Sequence, residues 1–191
     1  MTGLWQLPVQ KNIGTQVFDL RADYRDVLKI FACLEDPDLP EYTRWLVALA
    51  LFYQQPVIPE NRQAAMEYLA WFLRCGDDPG KPGPKLLDWQ QDADAIIAGV
   101  NKAAGQEIRS LPFVHWWTFL SWFHAIGEGQ LSTLVTIRDK LARGKRLEGW
   151  EKEFYRENKS RVDLKPRYSQ EDLAEQERLK QLLNGQLTMD N

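Results

Sequence analysis

Ser110-Leu111-Pro112-Phe113-Val114-His115-Trp116-Trp117-Thr118-Phe119-Leu120-Ser121-Trp122-Phe123-His124-Ala125-Ile126 holds three tryptophans, three phenylalanines and both histidines of the chain. At about 100° per residue, Trp116, Phe119, Leu120, Phe123, Ile126, His115 and Trp122 share one broad arc. Trp117 and His124 lie beyond one edge of it, and only Thr118, Ser121 and Ala125 form a weakly polar strip. A helix that is apolar around most of its girth is normally enclosed on several sides. The stretch therefore predicts the central helix, Phe113 to Ile126, of an all-α multi-helix domain, or a core helix whose outer edge meets a partner. Trp116, Phe119, Leu120 and Phe123 are expected among the most buried residues. Either reading points to packing or binding rather than to catalysis.

Upstream, helical spacing of apolar residues predicts four further helices. The first runs from Asp23 to Asp36 through Val27, Leu28, Ile30, Phe31 and Leu34. The second spans Glu41 to Gln54, bounded by Pro40 and Pro56, since proline suits a helix boundary and not its interior. The third covers Asn61 to Cys75 with Gly76 as its cap, and the fourth Asp88 to Ala104 with Gly105 as its stop. Thr15-Gln16-Val17-Phe18-Asp19-Leu20 alternates as a short strand would, and residues 1–16 read as a loose N-terminal segment. Asp77 to Lys85 is dense in proline and glycine and predicts a loop. Downstream, Gln130 to Leu141 presents Leu131, Leu134, Val135, Ile137 and Leu141 on one side, and Glu148 to Asn158 carries Trp150, Phe154 and Tyr155. Residues 17–159 thus read as one helical domain. Residues 160–191 are charged and poor in large apolar side chains, which predicts a partly disordered tail with a short helix from Gln170 to Leu183 capped by Ser169.

Composition narrows the function. A net charge of −3 gives no general attraction to nucleic acid or to an anionic membrane. No apolar run approaches the ~20 residues that cross a bilayer, and Met1 to Pro8 lacks the layout of a signal peptide. Cys33 and Cys75 are isolated in apolar helical contexts and read as reduced thiols. Arg138-Asp139-Lys140-Leu141-Ala142-Arg143-Gly144-Lys145-Arg146 has five positive charges against one acid. A solvated helix end accounts for it, and without a second basic stripe the chain is not expected to bind nucleic acid.

Chemical signatures are few. His115 and His124 fall about 180° apart on a helix and share no metal-binding face; no cysteine stands near either at ligand spacing. Asp88, Asp92 and Asp94 open the fourth helix, where the macrodipole favours acids. No phosphate loop, nucleophile elbow or zinc-protease motif occurs. No catalytic, metal or cofactor site is expected, although an enzyme using the acidic start of helix four with His115 stays open as a third reading.

Several segments together resemble one phage family: Asp23-Tyr24-Arg25-Asp26-Val27-Leu28-Lys29-Ile30-Phe31, Ala70-Trp71-Phe72-Leu73, Asp88-Trp89-Gln90-Gln91-Asp92-Ala93-Asp94, and Leu111-Pro112-Phe113-Val114-His115-Trp116-Trp117-Thr118-Phe119. The resemblance runs from about Val17 to Lys159. It is to small helical proteins of the tail gene clusters of long-tailed phages and prophages of Gram-positive bacteria, encoded close to the major tail protein and the tape-measure gene. It implies a non-enzymatic tail assembly chaperone in the cytoplasm of the infected or lysogenic host, keeping tape-measure or tail-tube subunits fit for assembly. The alternative is a structural tail or head–tail connector component retained in the virion. The expected partner is the tape-measure or major tail protein, and a homo-oligomer stays open.

Tryptophan is favoured as an interface anchor. Most of the eight tryptophans are expected in the core; Trp5, Trp89 and Trp150 have polar neighbours and are the expected exceptions. Trp117, Trp89, Trp150, Leu173, Leu179, Leu182 and Leu183 are the expected protein-binding residues.

Overall fold

The computed structural model describes residues 6–187, with side chains as far as residue 179. The chain opens with a hairpin: β1 (Gln10–Ile13) and β2 (Gln16–Asp19) run antiparallel, Lys11 opposite Phe18 and Ile13 opposite Gln16. Alternation sends Ile13 and Phe18 into the core. The strand over Val17-Phe18-Asp19-Leu20 was expected; its partner was not, so the segment expected to be loose over 1–16 is ordered from at least Pro8 onward. Leu20 N–H donates to Val9 O at 2.9 Å, and Lys11 Nζ lies 4.5 Å above the Tyr68 ring. With one inward apolar residue, β1 carries no alternating signal.

Asp23 caps α1 (Tyr24–Leu34), its Oδ1 accepting from Arg25 N–H at 2.9 Å. Its other oxygen accepts from Val114 N–H at 2.9 Å, while Tyr24 N–H donates to Val114 O and Trp116 N–H to Ala22 O. Residues 113–115 are thereby held extended against the start of α1. The aromatic helix consequently begins three residues later than expected, and Phe113 stands outside it, 54% exposed. After α2 (Glu41–Phe52), a single 3-10 turn at Pro59–Asn61 and α3 (Arg62–Leu73), the chain reaches α4 (Ala93–Ala104), closed by Gly105 in the left-handed region at φ 70°. The expected start of α4 at Asp88 is a turn instead. Asp88 Oδ1 accepts from the N–H groups of Gln90 and Gln91, and Asp92 Oδ2 accepts from Asp88 N–H. These side chains satisfy the backbone in a non-helical way.

Next come α5 (Trp116–His124), α6 (Gln130–Ala142), α7 (Gly149–Glu157), α8 (Lys159–Val162) and α9 (Gln170–Leu187). The described residues are mostly helical with one small two-stranded sheet, a refinement of the expected all-α class.

Trp116 and Phe119 are fully buried; Leu120 sits at the margin of the core, and Phe123 and Trp122 are half-buried. The aromatic helix is therefore covered on one broad side, with Ser121 and His124 facing water. Tyr24 stacks on Phe119 with centroids 4.8 Å apart. Two consecutive indoles close the end of α3: Trp116 Nε1–H donates to Leu73 O at 3.1 Å and Trp117 Nε1–H to Phe72 O at 2.9 Å. Both carbonyls lie in the last turn of α3, past the reach of the regular helical ladder; Phe72 O also accepts from Cys75 N–H at 3.0 Å. Gly99 lets α4 approach the chain beyond α5, since a Cβ there would lie 2.8 Å from Ile126 Cδ1.

Arg138 ties the second half together. It lies on α6, one residue after buried Ile137 and four after buried Leu134, and is only 5% exposed. Nη1 and Nη2 donate to the two Asp92 oxygens at 2.6 and 2.8 Å. The remaining donors reach Leu86 O at 3.0 Å, Arg161 O at 2.7 Å and Val162 O at 2.7 Å. A guanidinium has five N–H groups, and here each has an acceptor.

Arg138→Ala strands the Asp92 carboxylate in the interior and is expected to cost about 3–5 kcal/mol, measured by urea unfolding. His115 accepts from Trp117 N–H through Nδ1 at 3.1 Å and donates from Nε2 to Pro8 O at 3.0 Å, which requires a neutral ring. Burial pushes its pKa below the ordinary 6.5, against the opposing Pro8 bond. On acidification the unfolded chain takes up this proton first, so stability declines as pH falls below about 6.5. Melting temperature is expected to drop between pH 6.5 and 5.5 in the native chain and to stay flat there in His115→Asn.

Candidate protein-interaction surface

The α6–α7 corner is built around a covered acid. Glu151 accepts both from Lys140 Nζ, at 2.6 and 2.8 Å, and from the N–H of the cap residue Glu148 at 2.7 Å, so it secures the start of α7 as well as anchoring it to α6. The Lys140 bond, then the Glu148 N–H, holds the Glu151 carboxyl below its ordinary range. With Glu151 turned inward, neighbouring Trp150 is left 55% exposed. Leu141 follows Lys140 and lies on the same face of α6 as Leu134 and Ile137, yet it is 39% exposed rather than buried as expected. The apolar face of α6 outruns the elements that cover it. Exposed Arg143, Lys145 and Arg146 follow directly, Arg143 pairing with Asp139 at 2.6 Å. Exposed Glu148 lies 3.6 Å from Lys140, so the corner carries charges of both signs around its exposed apolar side chains.

A second exposed apolar surface lies on α9. Ser169 and Asp172 cap it reciprocally, each side chain accepting from the other's backbone N–H at 3.0 Å. Its first turn is pinned where Gln170 N–H donates to Asp38 Oδ1 at 2.7 Å. Leu173 and Leu179 are each 52% exposed. Leu182 and Leu183 lie on the same helix, but their side chains fall outside the described residues, as does Trp5.

Residues 161–169 connect the domain to α9 through a polar strap, and the boundary expected at residue 160 moves accordingly. Val162 is buried in the core. Gln91 donates to Asp163 O and Arg161 O and accepts from Lys165 N–H. Arg167 and Lys85 both pair with Glu35 and Asp88, at 2.9 to 3.2 Å. Partial burial would raise the Asp88 carboxyl, but the Gln91 N–H, Lys85, the Gln90 N–H and Arg167 outweigh it and hold it well below the usual range.

The other expected binding tryptophans lie elsewhere. Trp89 packs into the aromatic cluster, 5.3 Å from Phe123 and 5.7 Å from Trp116. Trp117 is half-buried against Trp71 with its N–H engaged, so Trp150 is the one of the three that is largely exposed. Nor does the structure bring the acids of residues 88–92 to His115. Asp88 and Asp92 are bound to cations, whereas His115 faces Pro8 and Trp117. A cleft of about 470 Å³ between α4 and the turn before α6 is lined by Ala95, Gly99, Ala103, Ile126 and Leu131, among others, and by none of those three residues. Cys33 and Cys75 are free, and burial pushes the Cys75 thiol up to about 12, which leaves it unreactive. Among the described residues, no group of three or more His, Cys, Asp or Glu is placed to hold a metal ion.

The chain matches the family described as Bacteriophage Gp15 protein over residues 5–164. It belongs to that phage family. The matched span contains the hairpin, the aromatic cluster, Arg138 with all five of its acceptors, and the α6–α7 corner; α9 lies beyond it. No curated protein and no solved structure matches the chain. Among the described residues no helix is long and apolar enough to cross a membrane.

The family domain closes on the strap, and this is measurable. A chain ending at Ser160 loses buried Val162 and two Arg138 acceptors. That should destabilise it by roughly 3 kcal/mol or more. A chain ending at Tyr168 keeps those groups and is expected to melt close to the full chain. Thermal unfolding of the two truncations checks both outcomes.

Proposed function

We propose that this phage protein is a non-enzymatic protein-binding factor of tail morphogenesis, a tail assembly chaperone working in the cytoplasm of the infected or lysogenic host. Its client is the tape-measure or the major tail protein. The observation that carries this reading is the exposed Trp150, an apolar anchor on a helix whose other outward side chains are polar. Large aromatic side chains supply most of the energy at the centres of interfaces, and here one stands in water within the family-matched span. The acids and the buried histidine that chemistry would draw on are engaged in structural bonds, which favours binding over catalysis. Arg138 is turned inward, so the basic run is weaker than its composition suggests. That favours a protein client over nucleic acid.

Co-expression with the tape-measure or major tail protein of the same phage tests the proposal. The client is expected to stay soluble and to co-purify with the native chain. Trp150→Ser should weaken retention about tenfold or more while leaving the melting temperature close to native. Mass spectrometry of purified virions should not detect the chain. Finding it there in stoichiometric amount would make it a structural tail or connector component.

A further inference from the structure

We propose that the groove beneath the strap is a binding site for an extended, arginine-bearing segment of a second protein, and that residues 163–169 occupy it in cis until such a segment displaces them. This surface is separate from Trp150, so the inference extends the binding role without resting on that residue.

The groove recognises its occupant mainly through backbone. Gln91 donates to Asp163 O at 2.9 Å and accepts from Lys165 N–H at 3.0 Å, contacts that any extended peptide can offer. Its further bond to Arg161 O, at 3.2 Å, goes to a carbonyl that Arg138 also holds, and that part of the chain stays in place. Selectivity comes from one side chain. Arg167 Nη2 reaches Asp88 Oδ2 at 3.0 Å and Glu35 Oε2 at 3.2 Å. Lys85 shares both carboxylates, at 3.1 and 2.9 Å, so with the strap away two acids are left with one of their two cations. The guanidinium of an incoming segment would restore that balance.

Occupancy in cis is shallow. Leu164 is only half-buried, and no described side chain beyond Val162 is buried, so the strap gives up little apolar contact when it leaves. Nor does the strap fill its groove. An open volume of about 270 Å³ lies beside Arg161 and Lys165, and another of about 410 Å³ beside Pro166 and Arg167, both reaching Gln91. A bulkier segment has room there. Finally, Glu35, Lys85, Asp88 and Gln91 all lie inside the family-matched span, whereas Lys165, Pro166 and Arg167 lie beyond it. The groove belongs to the family domain, and its present occupant is an addition.

Fluorescence anisotropy on the full chain, with a labelled peptide copying residues 163–170, tests this. No phage protein is present, so a failure here leaves the Trp150 reading standing. In the native chain the tethered strap competes at high effective concentration, and the peptide should bind weakly. Lys165→Pro with Arg167→Glu removes the N–H that Gln91 accepts and sets an acid against Glu35 and Asp88. This opened chain should bind the peptide about tenfold tighter or more. Adding Asp88→Asn should abolish the gain, since the amide oxygen can still accept from the Gln90 and Gln91 N–H groups while the charge is gone. A peptide with glutamate in place of its arginine should bind neither chain. Circular dichroism establishes that the variants fold, and Arg167→Ala alone replaces the double variant if that one does not. An opened chain that binds no tighter than the native one overturns the proposal, as does equal binding of the arginine and glutamate peptides. Either result would make the strap simply the closing edge of the domain.

Discussion

The second half of this molecule depends on the burial of one guanidinium. A charge removed from water is costly unless every donor finds an acceptor, and Arg138 meets that demand with Asp92, Leu86 O, Arg161 O and Val162 O. These acceptors come from the turn before α4 and from the end of α8, segments remote in sequence. None of the bonds is affordable alone, so the turn, α6 and the C-terminal strap must be in place together. A hydrophobic side chain of similar size could fill the same volume without such a requirement. The ion pair therefore acts mainly on specificity: it selects the one arrangement in which both strands of chain present their oxygens to α6.

The first half is organised by polar atoms on apolar side chains. Trp116 and Trp117 are adjacent, and each uses its indole N–H on a carbonyl at the end of α3. Their rings fill the space between α3, α1 and the Trp89 turn, so one element both packs the core and satisfies a helix terminus. Asp23 does comparable double duty, capping α1 with one oxygen and fixing Val114 with the other. His115 completes the same corner by capping α5 and gripping Pro8, which draws the N-terminal hairpin onto the body. The abundance of tryptophan thus belongs largely to the architecture, and exposed Trp150 stands out against it.

Helix order and most boundaries were legible because they rest on local signals: apolar spacing, Pro40 and Pro56, Gly105, and the Ser169 cap. The misses share a cause. The turn at residues 88–92 looks like an acidic helix start until its carboxylates meet Arg138, Lys85 and Arg167, partners that local composition does not reveal. In the sequence Arg138 is one cation of a basic run, although its spacing from Leu134 and Ile137 places it on the buried face of α6. That spacing was the available clue. Leu141 failed in the opposite sense, since periodicity assigns a face but not how far the covering elements extend. Trp89 and Trp150 have equally polar neighbours, and only the tertiary fold sends one into the aromatic cluster and the other into water.

The end of the family match and the end of the physically closed domain nearly coincide. The match stops at residue 164, just past the carbonyls that complete Arg138 and the buried Val162. Beyond that point the chain is held by a different kind of force. Gln91, Arg167 and Asp38 fix the strap and the start of α9 through polar bonds near the surface, and the described apolar side chains of α9 are largely exposed. Such bonds are individually weak and sensitive to salt, whereas the aromatic core and the Arg138 node are shielded from it. The protein therefore joins a domain whose geometry is set by burial to an arm whose placement is set by exchangeable polar contacts. A helix attached in that way can be released without disturbing the core that carries it.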